Sequence, residues 1–236
     1  MFRGKTFSLV LPAFNEESNI KKNILSFQQT EIFDEIIVVD NNSTDNTASE
    51  IKETNAYYVK ETIQGYGAAL RKGMGIAKSN YIVICEPDST FKANDIYKFL
   101  SYLEEFECIF GTRTTKSLIN DNAKMQFYLR IGNILVAKIL EYLFFGPTLS
   151  DVGCTFKLIS KKSYDSIKNN LKVIGSEFQP ELMINLILKK KKILEIPVNY
   201  LEREGKSKIT YNFISSFKLA LKMLFLIFYL RIKSLF

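Results

Sequence analysis

The chain has 236 residues, enough for one full-sized α/β domain with a tail but hardly for two independent domains. Hydrophobic residues make up 47% and charged residues 24%, which excludes a disordered chain, and the net charge of +7 favours anionic partners. There is no histidine, and the three cysteines form no CxxC pair, so a zinc site is not indicated and any metal should be bound by carboxylate oxygens.

The first half of the sequence alternates between predicted strands and predicted helices. Apolar runs rich in β-branched residues predict strands at Phe7–Leu11, Glu35–Asp40, Ala56–Lys60, Tyr81–Cys85 and Glu107–Gly111. Polar turns followed by amphipathic stretches predict helices at Asn15–Gln29, at Ala48–Thr54, within Gly65–Lys78 and at Asp95–Phe106. This alternation predicts a doubly wound α/β fold whose mostly parallel sheet binds ligands at the carboxyl ends of its strands.

In the second half of the sequence, long apolar helical patterns replace the regular alternation of strands and helices. Long apolar patterns predict helices at Met125–Phe145 and Pro180–Leu188, and a turn with a strand is predicted within Asp151–Ile159. Leu194–Val198 is predicted as an edge strand because it carries Pro197, which cannot donate a ladder hydrogen bond. From Phe213 onward the chain is apolar but interrupted by lysines and arginines.

Polar side chains follow three of the predicted strands. Asn15 and Glu16 come after the first, Asp40 ends the second, and Glu86 and Asp88 follow the fourth. We expect these side chains to share one edge of the sheet. Two carboxylates one residue apart on a turn can hold Mg²⁺ or Mn²⁺ against a diphosphate, so the sequence predicts a divalent metal site there.

Seven segments in order resemble family-two glycosyltransferases of GT-A-type (Rossmann-like) fold, in particular their dolichyl-phosphate mannose synthase-like members. The segments are Val10–Glu17, Val38–Thr47, Gly65–Gly73, Glu86–Asp88, Gly111–Arg113, Asp151–Lys157, and Glu195–Val198 with Arg203 and Gly205–Lys208. The resemblance covers roughly residues 7–210. It implies a catalytic domain over residues 1–210, followed by a basic amphipathic helix over residues 211–236.

The resemblance also implies a GDP- or UDP-linked sugar donor and residues that bind it. These are Pro12, Phe14, Glu16, Asp40, Asn42, Gly67, Arg71, Glu86, Pro87, Arg203 and Lys208. Glu86, Asp88 and Thr90 are the implied metal residues, with Mg²⁺ or Mn²⁺ as cofactor. The sequence departs from the family's DxD motif, because Glu86 replaces the first Asp and Pro87 the usual small residue, and Thr90 stands where some relatives have Gln.

The implied reaction is an inverting displacement in which the metal held by Asp88, together with Arg113, stabilises the negative charge of the departing diphosphate. Asp88 and Arg113 are accordingly the implied catalytic residues. A polyprenyl (dolichyl or undecaprenyl) phosphate acceptor is already an anion and needs no base. A sugar hydroxyl does need one, and without histidine Asp151 or Glu177 is the candidate. The choice between these two acceptors, and between the two carboxylates, stays open at this point.

The pattern of apolar and basic residues in the last predicted helix indicates contact with a membrane surface. Only eight consecutive apolar residues, Met223–Leu230, separate Lys222 from Arg231, whereas a spanning helix needs about 20. Lys218 and Lys222 lie one turn apart, which suits a helix lying in the headgroup region or packing on a membrane-spanning partner protein. The expected location is cytoplasmic, peripheral to the inner face of a membrane.

Three other functions are weighed against transfer to a polyprenyl phosphate. The first is transfer to a hydroxyl of a lipid-linked or surface polysaccharide. The second is a non-catalytic subunit that binds nucleotide-sugars, for which the substitution Glu86 is the only argument. A nucleic-acid-binding module is suggested by charge alone and has no recognised motif, so no nucleic-acid partner is expected.

Overall fold

The computed structural model describes residues 1–123, 127–204 and 213–235. Its strands are β1 (Phe7–Ala13), β2 (Glu35–Asp40), β3 (Tyr57–Lys60), β4 (Tyr81–Ile84), β5 (Cys108–Thr112), β6 (Lys157–Ser160) and β7 (Ile193–Pro197). Its α-helices are α1 (Ile20–Gln28), α2 (Thr47–Lys52), α3 (Tyr66–Ile76), α4 (Ile96–Leu100), α5 (Phe127–Phe144), α6 (Lys161–Ile167), α7 (Phe178–Leu188) and α8 (Phe213–Lys233).

The seven strands form one mixed sheet in the order β3-β2-β1-β4-β6-β5-β7. β1 pairs in parallel with β2 and β4, β2 with β3, and β5 with β7, whereas β6 runs antiparallel between β4 and β5. The predicted mostly parallel α/β sheet is therefore confirmed, with β6 as the reversed strand. β7 lies at the edge, which confirms the interpretation of Pro197.

Both faces of the sheet are buried, which explains why its strands are nearly continuous apolar runs. Along β1, Leu9 and Leu11 pack into a core shared with α1, α2 and α4, while Val10 between them packs into the core on the opposite face. That second core contains residues of α3, α5, α6, α7 and α8. The carboxyl ends of β1, β2 and β4 consequently emerge between two layers of helices.

The first helix begins later than predicted, at Ile20. The backbone N–H groups of Glu16 and Glu17 are taken by the side chains of Thr47 (2.7 Å) and Asp45 (3.2 Å), and Asn15 has a positive φ of 53°. These long-range contacts hold the acidic residues in a turn before the helix. The helix predicted to reach Phe106 ends at Leu100, and the short helix α6 was missed by the pattern.

α8 packs on α5 and α7 through its buried residues Met223 and Ile227, which belong to the same core as α3. In the described ranges no helix combines the length and apolarity needed to cross a bilayer. The predicted boundary between residues 210 and 211 falls outside the described residues and stays a prediction.

Substitutions at two glycines of α3 test how closely this helix packs against the sheet. A Cβ atom at Gly73 would lie 2.4 Å from Val10 Cγ1 and 2.9 Å from Val39 Cγ2, whereas at Gly75 its nearest neighbour is the Tyr164 hydroxyl at 3.8 Å. We expect Gly73→Ala to lower the free energy of unfolding by about 1–3 kcal/mol through overpacking. Gly75→Ala should raise it by up to about 1 kcal/mol through helix propensity. Urea unfolding measures both, and equal effects would contradict this packing.

Candidate active site

A cavity of about 490 Å³ opens at the carboxyl ends of β1 and β4. Its charged wall contains Glu16, Glu86, Asp88, Arg113 and Arg203. Its apolar wall comes from α5 and α8 and contains Leu129, Val136, Phe217, Leu219, Ala220 and Met223. One cavity thus joins a cluster of charges to a surface of hydrocarbon.

The guanidinium of Arg203 lies between the two carboxylates of the Glu86-Pro87-Asp88 turn. Its Nη2 is 3.0 Å from Glu86 Oε2 and also forms an ion pair with Asp88 Oδ2. The two oxygens therefore converge on a single positively charged atom. Because they already share one cation, they fit a divalent metal at the same point.

Hydrogen bonds to the second carboxylate oxygen of Asp88 fix the orientation of its side chain. Asp88 Oδ1 accepts hydrogen bonds from the Thr90 backbone N–H at 3.1 Å and from the Thr90 hydroxyl at 2.5 Å. Thr90 is fully buried and is not among the residues that line the cavity. Thr90 thus orients the carboxylate of Asp88, and its role as a metal ligand stays a prediction.

The acidic pair is electrostatically strained without a cation. Burial, and next the carboxylate of Asp88, raise the pKa of Glu86 to about 8, while the charge of Arg203 acts in the opposite direction. Even with Arg203 beside both carboxylates, Glu86 therefore takes up a proton more readily than an ordinary carboxyl group does.

Arg113 is held by Asp151 in a bidentate ion pair. Arg113 Nε is 2.8 Å from Asp151 Oδ2 and Nη2 is 2.9 Å from Oδ1, and the Arg113 backbone N–H also donates to Oδ2. The guanidinium stacks on the ring of Tyr200 at 5.2 Å and lines the cavity. Asp151 therefore positions Arg113 at the cavity wall.

Asp151 itself does not line the cavity, and its role as a base stays a prediction. Its side chain is fully buried, and both of its oxygens accept hydrogen bonds. Burial alone would raise its pKa, but the charge and hydrogen bonds of Arg113 outweigh that effect and lower it. Glu195 holds the loop itself, accepting from the backbone N–H groups of Ser150 (2.7 Å) and Asp151 (3.1 Å).

Glu177 does not line the cavity either, although its neighbour Ser176 does. Its carboxylate lies over the backbone of Gly175, where a Cβ atom would be 2.6 Å from Glu177 Oε2. In the described part of the chain neither of the two predicted bases faces the cavity. Which carboxylate, if any, acts as a base stays a prediction.

The predicted donor-binding residues divide into two groups. Those that line the cavity are Pro12, Phe14, Glu16, Glu86, Pro87 and Arg203. Those that lie outside it and stabilise the surrounding loops are Asp40, Asn42, Gly67 and Arg71. Lys208 lies outside the described residues.

Each member of the second group has a structural contact. Asp40 accepts from the Ser43 backbone N–H and the Tyr58 hydroxyl, both at 3.0 Å, and Asn42 donates to the Thr62 carbonyl at 2.9 Å. Arg71 Nη1 donates to the Lys172 carbonyl at 3.1 Å on the protein surface, and its contact with the donor stays a prediction.

Gly67 makes room for another part of the backbone. Its N–H donates to the Ile174 carbonyl at 2.8 Å, and a Cβ atom there would lie 2.6 Å from the Val173 carbonyl oxygen. The small residues at the start of α3 thus admit the 173–175 segment. This segment leads into α7, which carries further residues of the cavity.

Sequence reasoning missed several residues of the cavity. The polar ones are Asn41, Gln64, Tyr66, Tyr128, Asn133, Thr155, Ser176, Gln179, Tyr200 and Ser216. Most lie in the second half of the chain, and several lie on the long apolar helices, where the sequence pattern gives no sign of a binding site. Asn41, Tyr66 and Thr155 could have been named, because each lies inside a segment that resembles the family.

Comparison with known proteins shows which protein family this chain matches. The family model described as "Glycosyl transferase family 2" matches residues 8–168. The low-salt glycan biosynthesis hexosyltransferase of Haloferax volcanii is 25% identical over 210 residues, which are 86% of this chain and 50% of that relative, so this chain spans half of its length. The dolichyl-phosphate hexose transferase of the same organism is 24% identical over 86% of either chain.

A solved structure shows the same fold. Glucosyl-3-phosphoglycerate synthase from Mycobacterium tuberculosis, crystallised with Mn²⁺, UDP and glucosyl-3-phosphoglycerate, superposes with a TM-score of 0.74 at 17% identity. The superposition covers 97% of this chain and 80% of that one. This likeness establishes the mixed α/β architecture.

The ion pairs of Arg203 predict competition with a divalent metal. We expect Arg203→Ala to bind Mn²⁺ about 3–10-fold more tightly without nucleotide, because two carboxylates lose their cation. The same variant should bind UDP or GDP in the presence of Mn²⁺ about 10–100-fold more weakly, since a charge-assisted contact to the diphosphate is lost. Calorimetric titration measures both.

Lys22→Ala is the matched control for this prediction. Lys22 forms an ion pair with Glu204, next to Arg203 along the chain, but does not line the cavity. This variant removes one positive charge of α1 that contacts the segment of Arg203, and it should leave both affinities unchanged. Weaker Mn²⁺ binding by Arg203→Ala would contradict the competition.

Proposed function

We propose that this chain, which belongs to glycosyl transferase family 2, transfers a hexose from a nucleoside-diphosphate sugar to a polyprenyl phosphate. The reaction would use Mg²⁺ or Mn²⁺ and take place at the cytoplasmic face of a membrane. The observation that carries the proposal is the single cavity in which the charged cluster around Glu86 and Asp88 meets the apolar wall of α5 and α8.

The donor would bind at the charged wall. Glu86 and Asp88 would hold the metal, which when bound supplies positive charge to the diphosphate of the donor. Arg203, released from the carboxylates, is within reach of the same phosphates and suits the charge of the leaving group. The glucosyl-3-phosphoglycerate synthase structure, with Mn²⁺ and UDP, supports this arrangement by likeness of fold.

The transfer itself needs no proton acceptor. A phosphate oxygen of the acceptor forms the new bond to the anomeric carbon, the bond from that carbon to the diphosphate breaks, and the leaving group takes the electron pair. The anomeric configuration inverts. This chemistry suits a cavity in which Asp151 is bound to Arg113 and Glu177 lies over Gly175.

Arg113 would bind the phosphate of the acceptor. Its Nε and Nη2 are committed to Asp151, so the guanidinium keeps one fixed orientation at the cavity wall. A planar cation held in this way suits a phosphate. The name of a relative, the dolichyl-phosphate hexose transferase of Haloferax volcanii, supports a polyprenyl phosphate as the acceptor.

The apolar wall would receive the first isoprene units of the acceptor. Val136 of α5 and Phe217, Leu219 and Met223 of α8 face the cavity. A water-soluble acceptor would gain nothing from these side chains. A lipid would bury apolar surface against them, at about 25 cal/mol per Å².

The outer face of α8 supports contact with a membrane. Large apolar side chains repeat along it at helical spacing and are exposed: Ile214, Leu221, Phe225, Phe228 and Ile232. Lys218 and Lys222 are exposed between them and suit anionic headgroups. The three cysteines are buried and unpaired, which accords with a reducing cytoplasmic compartment.

The lipid acceptor is tested by transfer into an organic phase. With Mn²⁺ or Mg²⁺, a panel of radiolabelled GDP- and UDP-sugars and a short polyprenyl phosphate, we expect label to enter the organic phase only when the lipid is present. Asp88→Asn should abolish the transfer, and Arg113→Lys should reduce it at least about tenfold, because a bidentate guanidinium is lost.

Two other outcomes would contradict the lipid acceptor. Label that moves only into a sugar hydroxyl acceptor would replace it with glycan extension. Nucleotide-sugar binding without any transfer would leave a non-catalytic subunit. Asp165→Asn is the matched control, since Asp165 lies on the outside of α6 and pairs with Lys168.

The membrane surface is tested with vesicles of phosphatidylcholine and phosphatidylglycerol. Phe225 and Phe228 are 76% and 49% exposed on the outer face of α8 and do not line the cavity. We expect Phe225→Ser with Phe228→Ser to weaken co-sedimentation at least about tenfold, because about 1.5–3 kcal/mol of burial is lost per side chain. Tyr57→Ser, at a 62% exposed position of β3, should change nothing. Equal co-sedimentation of all three proteins would contradict the assignment.

A further inference from the structure

Two polar side chains at the cavity are buried with an atom that has no hydrogen-bond partner in the described ranges. They are Gln179 of α7, whose Oε1 is unpartnered, and Thr155 of the loop before β6, whose Oγ1 is unpartnered. Gln179 is 2% exposed and Thr155 is 5% exposed. Buried polar atoms are normally paired, so unpaired ones at a binding cavity indicate a ligand that pairs with them.

A third polar group lies beside Gln179. The Tyr66 hydroxyl, at the start of α3, accepts a hydrogen bond from Gln179 Nε2 at 2.9 Å, which leaves its own proton available for donation. Burial, and next the charge of Glu86, raise the pKa of Tyr66 well above its ordinary value, so the hydroxyl keeps that proton. Tyr66, Thr155 and Gln179 all line the cavity that contains Glu86.

These three side chains carry no charge, in contrast to Arg113 and Arg203. Together they offer an amide oxygen that accepts, a phenol that donates, and a threonine hydroxyl that does either. A phosphate would gain little from such a set. A sugar hydroxyl, which both donates and accepts, matches it.

We propose that Gln179, Thr155 and Tyr66 form the subsite that binds the hydroxyl groups of the transferred hexose and selects among donor sugars. This inference rests on the proposed function, since it assumes a nucleoside-diphosphate sugar at the acidic pair. It adds the residues that distinguish one sugar from another. A site that hydrogen-bonds a substrate hydroxyl discriminates strongly, because the wrong sugar leaves buried groups unpaired.

The experiment compares binding of a sugar donor with binding of its nucleoside diphosphate. UDP-glucose, UDP-galactose, UDP-N-acetylglucosamine and GDP-mannose are first screened with Mn²⁺ by calorimetry. The tightest donor and the matching UDP or GDP are then titrated into Thr155→Val and Gln179→Met, which keep the shapes of the side chains. We expect the Kd of the donor to rise about tenfold or more while the Kd of the nucleoside diphosphate stays unchanged.

Asn23→Leu is the matched control. Asn23 of α1 also has a buried, unpartnered side-chain oxygen, but it does not line the cavity. It should leave the ratio of the two dissociation constants unchanged. Thermal unfolding gives a second readout, because Thr155→Val breaks no hydrogen bond of the described structure and should not lower Tm.

The outcomes separate this inference from the proposed function. If the unaltered chain binds no nucleotide-sugar, the proposed function itself fails. If it binds a donor and both variants keep the ratio of Kd values, the subsite is overturned. Equal weakening of donor and nucleoside diphosphate, or a rise only in the KM for polyprenyl phosphate, would also overturn it.

Discussion

The rest of the site depends on the repulsion between two carboxylates at the end of β4. Glu86 and Asp88 are one residue apart on a turn that is largely withdrawn from water, and like charges so placed need a cation. In this structure Arg203 supplies it. A protein without a ligand for this pair would gain stability by replacing one carboxylate, so its presence indicates a site kept for binding.

The segment that carries Arg203 is tied to the acidic turn along its length. The Leu201 N–H donates to the Thr90 carbonyl at 2.8 Å, and the ring of Tyr200 packs on Phe91. Tyr200 also stacks under Arg113. A change at the acidic turn therefore reaches Arg113 and Arg203 through direct contacts.

Residues 205–212, outside the described ranges, join this segment to α8, whose inner face lines the cavity and whose outer face is apolar. The chain order thus connects the charged wall to the surface assigned to the membrane. A lipid acceptor that rises from the bilayer beside α8 would meet the apolar wall before it reaches the charged cluster.

Much of the fold follows from local sequence patterns. The strands β1 to β4 and their helices are visible as apolar runs and turns. Of the polar residues at the strand ends, Glu16, Glu86 and Asp88 line one cavity, because parallel strands share an edge, whereas Asn15 and Asp40 do not line it. Resemblance to family-two enzymes added Arg113 and Arg203. The antiparallel placement of β6 could not be read locally, since it depends on the path of the chain through α5.

The pairings within the site could not be predicted for the same reason. Asp151 was expected as a base, but its partner Arg113 is 38 residues away and only tertiary structure brings them together. The contact of Arg203 with Glu86 spans 117 residues. Gln179 belongs to no motif, and Thr155 is an uncharged member of the Asp151–Lys157 segment, so only their burial marks them as site residues.

The central claim is that the acidic pair holds the metal and the donor diphosphate, and that Arg203 gives up its place to them. A crystal structure with Mn²⁺ and the preferred nucleoside diphosphate tests it most directly. The account predicts an anomalous Mn²⁺ peak in contact with Glu86 and Asp88, with the Arg203 guanidinium moved onto the phosphates. A Mn²⁺ peak elsewhere, or a bound nucleotide with Arg203 still between the two carboxylates, would contradict it.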